Sequence, residues 1–353
     1  MSAPIRVKFV SKTPPEAIDA LWRPLMPEGQ DGCGRCHFTF DAEDREYDAL
    51  VVYEDLPPRS GESRILRKEP LACAKANTWL LTTEPPSIRI DGPHYLRQFG
   101  HVWTNKHPSL VRHPSQIRTT PPLRFFYGRN LTGDTHLSLA NTPPPKSKDL
   151  SGMSSTKAMA HTVHAKRLEF MQALKKRLGD RFDLFGRGIR PVDDKAEAMR
   201  EYRYHVAVEN HVEPGHFTEK LTDCFVAGCL PFYFGDPAYA DVFPEASVIP
   251  IDIFDLDGAV WTIETALAND AFGQRADALE QARKITMTDF NTLAAVARQV
   301  EATYDTDAPR GGTISGRHAF RRAHPIRAIA DAAFRTRARK SPYAAPIQHM
   351  RSD

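Results

Sequence analysis

The sequence predicts an α/β protein with two doubly wound domains, and three observations lead to this prediction. At 353 residues the chain exceeds what one hydrophobic core usually organises. Short apolar runs rich in β-branched residues recur through the first half, as they do in buried parallel strands. The second half alternates such runs with segments of helical period, which is the rhythm of βαβ units.

The first half contains three expected strands, at Ile5–Val10, Ala49–Tyr53 and Thr78–Thr82. Each run ends at a cluster of charged residues or of residues that favour turns. Because parallel α/β sheets bind their ligands beyond the carboxyl ends of their strands, we expect functional side chains in these clusters.

A polar, proline-containing segment between Gly133 and Gly152 separates the two halves. Pro143–Pro145 cannot continue a helix or a central strand, so we expect an extended connector here. The predicted domains are residues 1–148 and 149–310, followed by a basic helical tail at 311–353.

The second half has clearer element boundaries. The expected elements are a helix at Ala165–Leu178, strands at Phe182–Phe185 and Tyr204–Val208, a helix at Glu219–Ala227 and a strand at Leu230–Phe234. Thr218 is a suitable N-cap for the second helix, and Gly228 is a suitable stop.

Composition excludes several classes of protein. No run reaches the roughly 18–20 apolar residues that span a bilayer, and the first residues do not have a secretory pattern, so we expect a cytoplasmic protein. Five cysteines are too few to indicate a disulfide framework. Cys33 and Cys36 form a single CxxC, which favours two reduced thiols and leaves a structural zinc as the alternative.

Positive charge is concentrated at the C-terminus. Arg310–Asp353 holds 10 lysines and arginines against 2 acids, within a chain of net charge +3. An anionic membrane, a nucleic acid or the acidic body of the protein are the candidate partners, and we expect no nucleic acid. Phe320–Phe334 reads as a basic amphipathic helix; we favour packing of its apolar stripe on the protein and leave peripheral contact with the inner membrane face open.

The segment Val208–Lys220 carries the clearest chemical signal. A strand ends at Glu209 and Asn210, a loop follows, and a helix opens at Thr218 with Lys220 in its first turn. The first turn of a helix presents unpaired N–H groups and a partial positive charge, which suits an anion. A lysine there makes sense if a diphosphate lies against it; a solvated lysine is the alternative.

The stretch Tyr202–Phe243 resembles the donor-binding region of the family 10 glycosyltransferases, the α-1,3/4-fucosyltransferases. The shared pattern is a tyrosine-started strand, Glu-Asn, a variable loop, Thr-Glu-Lys, a helix with a small-residue stop, and a proline-containing strand that ends in glycine. Ser154–Leu174 and Phe185–Gly188 also resemble the family's donor domain. The resemblance implies two Rossmann-like domains facing a cleft (the GT-B glycosyltransferase fold), an N-terminal acceptor domain, GDP-fucose as donor, and inversion without a metal or other cofactor.

The same resemblance assigns residues of the donor site. Arg167 and Lys220 match positions that hold the diphosphate, and Asn210 and Glu219 match polar contacts to the nucleotide-sugar. Glu209 lines the same strand end. The remaining donor-site candidates are Thr218, His216, Ser154, Ser155, Gly186 and Tyr204. His216 departs from the pattern, since several family members carry an aromatic residue there.

An inverting transfer needs a base for the acceptor hydroxyl, and Glu84 matches the family's position for it. Glu54, Asp55 and a purely structural Glu84 remain alternatives. Tyr95 and Trp103 are candidates for stacking against an acceptor sugar, with core packing as the alternative.

The expected acceptor is a glycan or a lipid-linked saccharide. No acidic pair of the DxD type is convincing, so no metal is expected. Two other functions remain open: transfer from another nucleotide-sugar, and binding of a nucleotide-sugar or polyanion without turnover.

Overall fold

The computed structural model describes residues 3–13, 15–27, 32–128, 138–139, 143–156 and 163–344. The chain forms two compact units. Among the described residues, unit 1 comprises those within Met1–Pro122 and Thr292–Ala345, and unit 2 comprises those within Leu123–Asn291. Among the helices of the described ranges, none has the length and apolar character needed to cross a bilayer.

Unit 1 is built on a seven-stranded sheet. The strands of this sheet are β1 (Ile5–Ser11), β2 (Gly32–Cys33), β3 (Cys36–Thr39), β4 (Ala49–Tyr53), β6 (Thr78–Leu81), β7 (His101–Trp103) and β8 (Gln116–Ile117). Strand β5 (Lys68–Pro70) lies outside the sheet. The first helices of unit 1 are α1 (Pro15–Trp22) and α2 (Pro93–Leu96). The strand order is β2-β3-β1-β4-β6-β7-β8, and only the β2–β3 pair is antiparallel. The order reverses between β1 and β4, which is where an open α/β sheet binds its ligand.

The three strands expected in the first half are confirmed to within one residue at either end. All five residues of β4 are buried, since both faces of this parallel sheet are covered. The continuous apolar run therefore predicts a strand of this kind without any alternation.

Unit 2 is built on a five-stranded sheet. Its strands are β9 (Lys148–Met153), β10 (Asp183–Phe185), β11 (Tyr202–Val208), β12 (Leu230–Phe234) and β13 (Ile249–Pro250), and its helices are α3 (His164–Leu178), α4 (Ala196–Met199), α5 (Glu219–Ala227), α6 (Leu256–Ala268), α7 (Ala271–Gln274) and α8 (Ala276–Met287). All neighbours are parallel in the order β10-β9-β11-β12-β13. The chain order reverses between β9 and β11.

Strand β9 corrects the expectation of a connector that extends to Gly152. It lies between β10 and β11 in the sheet, so it is a central strand. A Cβ at Gly152 would lie 2.6 Å from Met171 Cε and 2.7 Å from a ring atom of Phe182, so glycine allows close packing here. With so few apolar residues, β9 has no hydrophobic pattern that would predict it.

The chain returns to unit 1 after unit 2. The returning elements are α9 (Thr292–Thr303), β14 (Thr313–Ser315), α10 (Arg317–Ala323) and α11 (Pro325–Ala338). Strand β14 pairs antiparallel with β5, and Ile314 and Phe320 enter the core of unit 1. The compact units therefore differ from the predicted ranges 1–148, 149–310 and 311–353.

The basic tail differs from the expectation in two ways. The single helix expected over Phe320–Phe334 is two helices, broken at His324 because the residue before a proline avoids helical backbone. Packing of its apolar stripe on the protein was also a wrong expectation: Ile326 is 83% exposed and Ile329 is 71% exposed. The inward face of α11 instead presents Asp331 and Ala338.

Candidate active site

A cavity of about 220 Å³ lies at the carboxyl ends of β9, β10 and β11 in unit 2. It coincides with the reversal of strand order, the position at which this topology binds ligands. The lining residues are Met153, Ser154, Ser155, Arg167, Gly186, Arg187, Lys195, Met199, His205, Val206, Ala207, Val208, Glu219 and Lys220. Six of the predicted donor-site residues are therefore together: Ser154, Ser155, Arg167, Gly186, Glu219 and Lys220.

One wall of the cavity depends on a close approach between the ends of β9 and β10. Gly186 has φ 130°. A Cβ at this position would lie 1.6 Å from the carbonyl oxygen of Ser154, so only glycine fits. The hydroxyl of Ser154 is buried beside the cavity and has no hydrogen-bond partner among the described residues. A ligand can supply that partner.

The opposite wall is the amino end of α5, which begins as predicted after the N-cap Thr218. The Thr218 hydroxyl accepts a hydrogen bond from the Lys220 N–H at 3.3 Å. The buried carboxylate of Glu209 in turn accepts the Thr218 N–H at 2.8 Å and its hydroxyl at 2.7 Å. Glu209 therefore fixes the start of the helix, although it does not line the cavity.

Two predicted cations reach the cavity. Lys220 Nζ lies 3.2 Å from Glu209 Oε2 and 3.4 Å from Glu219 Oε1. Burial disfavours its charge, but the two carboxylates outweigh burial and raise the pKa of Lys220. Arg167 is only 7% exposed, and its Nε has no hydrogen-bond partner in the described parts of the chain. Burial lowers the pKa of Arg167, and Glu209 and Glu219 oppose that change.

Lys195 is a third cation in this cavity, and sequence reasoning missed it. Its ammonium pairs with the buried Asp223 and lies 3.8 Å from Glu219 Oε1. Burial opposes the charge, but Asp223 and Glu219 raise the pKa of Lys195. Burial would raise the pKa of Glu219, yet Lys220 and Lys195 bring it down to about 2. No motif marks Lys195, which lies just before α4 and reaches the cavity only through the packing of that helix.

His205 also lines the cavity and was not predicted. The hydroxyl of Ser151 lies 2.5 Å from the Ala198 carbonyl oxygen and 2.8 Å from His205 Nδ1. Since the hydroxyl gives its one proton to the carbonyl, Nδ1 carries the proton of the neutral ring. Burial, followed by the charge of Lys195, lowers the pKa of His205 to about 3. The imidazole is therefore neutral.

Five predicted donor residues lie outside the cavity lining: Glu209 and Thr218, which hold the start of α5, and Tyr204, His216 and Asn210. Tyr204 stacks on Phe232, and its hydroxyl accepts the Phe272 N–H at 2.8 Å, so this side chain belongs to the core. Its place as a donor-pocket residue is corrected, because packing against Phe232 and Phe272 leaves Tyr204 only 1% exposed. His216 is buried, and its N–H donates to the Glu213 carbonyl oxygen. Asn210 is half-buried just beyond β11.

Glu84 lies at the carboxyl end of β6 in unit 1. Its side chain is 32% exposed, and Lys12 Nζ donates to Glu84 Oε1 at 2.8 Å. Lys12 directly follows β1, so the pair spans the reversal point of this sheet. The residue predicted as base therefore has a carboxylate that solvent reaches, at the edge where such sheets bind ligands.

Glu54 holds the turn that presents Glu84. It is buried with φ 70° and accepts the hydroxyl of Thr83 at 2.5 Å and the Glu84 N–H at 2.9 Å. Arg89 Nη1 donates to its other oxygen at 2.7 Å. Burial opposes the charge of Glu54, but Arg89 and the further cation Lys106 lower its pKa. Because both carboxylate oxygens of Glu54 already accept hydrogen bonds, Glu54 is better suited to positioning the turn than to acting as the base.

The remaining unit 1 candidates have structural surroundings. Asp55, the other alternative base, pairs with Arg317 of α10 at 2.7 Å. Tyr95 is buried against Phe99 and Phe320, and Trp103 is buried with its indole N–H donating to Thr119 Oγ1 at 2.9 Å. Stacking of an acceptor sugar on Tyr95 or Trp103 is therefore corrected to core packing.

The Cys33–Cys36 pair closes the β2–β3 hairpin. Burial raises the pKa of Cys36 to about 12. No group of three or more His, Cys, Asp or Glu side chains that could hold a metal occurs within the described ranges.

Comparison with protein families identifies unit 2. Residues 144–270 match the model described as glycosyltransferase family 10 (fucosyltransferase), C-terminal part. This segment belongs to glycosyltransferase family 10. Every residue that lines the cavity falls within it. The chain is therefore a glycosyltransferase, and the cavity lies in its family 10 domain.

Similar solved structures include two of an α1,3-fucosyltransferase. The one with GDP is 16% identical with a TM-score of 0.48, and the match covers 87% of this chain and 92% of the other. The one with GDP-fucose is 15% identical with a TM-score of 0.44, covering 88% and 93%. A glycosyltransferase from Rickettsia africae ESF-5 is 9% identical with a TM-score of 0.46, covering 86% and 98%.

Proposed function

We propose that this family 10 glycosyltransferase transfers fucose from GDP-fucose to a hydroxyl of a glycan acceptor, with inversion at the anomeric carbon. One observation carries the proposal. Arg167, Lys195 and Lys220 meet in a single cavity at the amino end of α5, and the buried Arg167 Nε has no hydrogen-bond partner among the described residues. The membership of residues 144–270 in the fucosyltransferase family supports fucose as the sugar.

The cavity suits a nucleoside diphosphate that is about to leave. Breaking the bond from the anomeric carbon to the β-phosphate oxygen leaves negative charge on that oxygen. Cations and helix N–H donors fixed in advance stabilise charge where it develops. Arg167 offers a planar fork with an unpartnered Nε, and Lys220 offers a compact charge in the first turn of α5.

Glu84 is the proposed base. As the acceptor oxygen forms its bond to the anomeric carbon, its proton passes to the Glu84 carboxylate and GDP takes the electron pair of the broken bond. Lys12 holds Oε1 at 2.8 Å, which orients the group. Glu54 holds the turn from behind through the Glu84 N–H.

A donor-binding panel tests the proposal. Binding of GDP, UDP, ADP and GDP-fucose is measured by calorimetry on the wild type and on Arg167→Met, Lys195→Met and Lys220→Met. We expect preference for GDP and GDP-fucose, and at least about tenfold weaker binding in each variant, because a charge-assisted hydrogen bond contributes about 1.5–3 kcal/mol. Lys176→Met is the control, since this exposed lysine of α3 lies outside the cavity.

Three results would contradict the proposal. Unchanged GDP affinity in Arg167→Met and Lys220→Met would show that this cavity does not bind the donor. Tighter binding of UDP or ADP than of GDP would show that the donor is another nucleotide-sugar. Binding of GDP-fucose without transfer to any saccharide in an acceptor panel, followed by mass spectrometry, would leave the fucosyl transfer unsupported. The acceptor panel includes free oligosaccharides and lipid-linked saccharides.

A further inference from the structure

The outward face of α11 combines apolar and basic side chains. Ile326 and Ile329 are 83% and 71% exposed, and Ala330 and Ala333 are exposed beside them at helical spacing. An apolar stripe of this kind normally faces the core of its domain. Here the inward face of the same helix uses Asp331, whose carboxylate accepts the N–H groups of His94 and Tyr95.

Charge around this stripe has one sign. Residues 317–344 contain eight lysines and arginines and a single acid, Asp331; one of the eight, Arg317, is largely buried in ion pairs with Asp55 and Asp91. Because Asp331 is buried beneath the helix, it does not reduce the positive charge of the outer surface. Arg322, Arg327 and Arg337 are all exposed.

An open groove of about 630 Å³ adjoins the same helices and extends the basic surface. Lys75, Arg97 and Arg327 line it together with His94 and His324, and none of its lining residues is acidic. Lys75 precedes β6 and Arg97 precedes β7, so the groove lies at the amino ends of these strands. It is therefore at the opposite edge of the sheet from Glu84.

We propose that α10, α11 and this groove form a docking surface for an anionic phospholipid bilayer. A helix that lies in the membrane–water interface inserts apolar side chains at the level of the lipid headgroups. Arginines beside these side chains contact the lipid phosphates. The isoleucines and arginines of this surface match both features. Since the surface lies away from the end of β6, docking leaves the proposed base accessible to an acceptor.

Two other occupants fit the surface less well. A nucleic acid would use the positive charge but would leave the isoleucines without a role. A second copy of the chain would bring two basic faces together, and these few apolar side chains fall well short of the roughly 1,200–2,000 Å² that stable interfaces bury. The anionic bilayer alone uses both features.

Vesicle sedimentation of the full chain tests this inference. Phosphatidylcholine vesicles with and without phosphatidylglycerol are mixed with the wild type and with Ile326→Asp/Ile329→Asp. We expect binding to the anionic vesicles only, weakened by salt, and at least about tenfold lower for the double variant, which places two carboxylates where the bilayer would be. Trp261→Asp is the matched control, since Trp261 is 69% exposed on α6 of unit 2.

Thermal melting and GDP binding establish that each variant is folded. Equal vesicle binding by the double variant and the wild type would overturn the proposal, as would equal binding to neutral vesicles or no binding at all. Loss of a dimer or of duplex DNA binding in the double variant, with vesicle binding unchanged, would assign the surface to that partner instead.

Discussion

Individual side chains at the donor cavity divide into those that line it and those that hold the lining in place. Arg167, Lys195 and Lys220 line it. Glu209 does not, yet its carboxylate fixes Thr218 and lies 3.2 Å from the Lys220 ammonium. A family motif therefore includes residues of both kinds, and only the contacts distinguish them.

Replacement of Glu84 separates binding from chemistry. We expect Glu84→Gln to abolish fucosyl transfer and leave GDP affinity unchanged, because the amide cannot accept the acceptor proton and the residue lies in the other unit from the donor cavity. Glu46→Gln is the control, since its side chain is 88% exposed. Parallel loss of GDP binding and transfer would show that Glu84 has a structural role instead.

The buried imidazole of His205 makes stability depend on pH. Its pKa is about 3 in the folded chain against an ordinary value of 6.5, so between these values the unfolded chain binds a proton that the folded chain does not. Stability therefore falls as pH drops below 6.5, by up to about 1.4 kcal/mol per pH unit. Urea unfolding at pH 7 and pH 5 should show a smaller loss for His205→Gln than for the wild type, whereas exposed His37→Gln should match the wild type.

At the scale of elements, α5 connects folding to donor binding. The Thr218 cap and the Glu209 carboxylate together determine where the first turn presents its N–H groups. The same turn carries Glu219 and Lys220 into the cavity. The position of the cap therefore affects the site as well as the helix.

Two caps in unit 2 allow this effect to be isolated. Thr218→Ala and Asp255→Ala each remove an N-cap acceptor, the second from α6, where Asp255 accepts the Gly258 N–H at 2.9 Å. We expect each to lower the unfolding free energy by about 1 kcal/mol. Only Thr218→Ala should weaken GDP binding, because α6 does not line the cavity. Equal GDP affinity in Thr218→Ala and Asp255→Ala would show that the Thr218 cap does not affect donor binding.

At the scale of the whole molecule, the chain leaves unit 1 and returns to complete it. Helix α2 has Gly92 as its N-cap, and this residue has no side chain to accept the free N–H groups. Asp331 of α11 accepts them instead, at 2.9 Å from His94 N and 3.0 Å from Tyr95 N. Unit 1 therefore depends on the segment that returns to it after unit 2.

Removal of that carboxylate should measure this dependence. We expect Asp331→Ala to lower the unfolding free energy of unit 1 by about 1–3 kcal/mol, because two buried N–H groups lose their acceptor. Asp307→Ala, an exposed change in the same returning segment, should have no comparable effect. GDP binding below the melting temperature should persist in Asp331→Ala, and its loss would mean that the change disturbs unit 2 as well.

The sequence by itself determined the features that arise within short stretches of chain. Strand β4, helix α5 with its Thr218 cap, and the Glu209–Lys220 segment all follow from patterns of a dozen residues or fewer, because their caps and hydrophobic periods are local. The pairing of Arg167 with Lys220 has another source, since it is implied by the resemblance of Ser154–Leu174 and Tyr202–Phe243 to the family's donor domain.

Only the tertiary structure decided what depends on residues far apart in the chain. Lys195 and His205 line the cavity, Tyr95 and Trp103 are buried, and β9 is central to its sheet. Each of these positions depends on contacts with residues distant in the sequence, which a local pattern cannot predict. The amphipathic pattern of α11 likewise predicts a helix but not which face turns outward. Its buried Asp331 satisfies the start of α2, and this distant hydrogen bonding sets the orientation that leaves the isoleucines exposed.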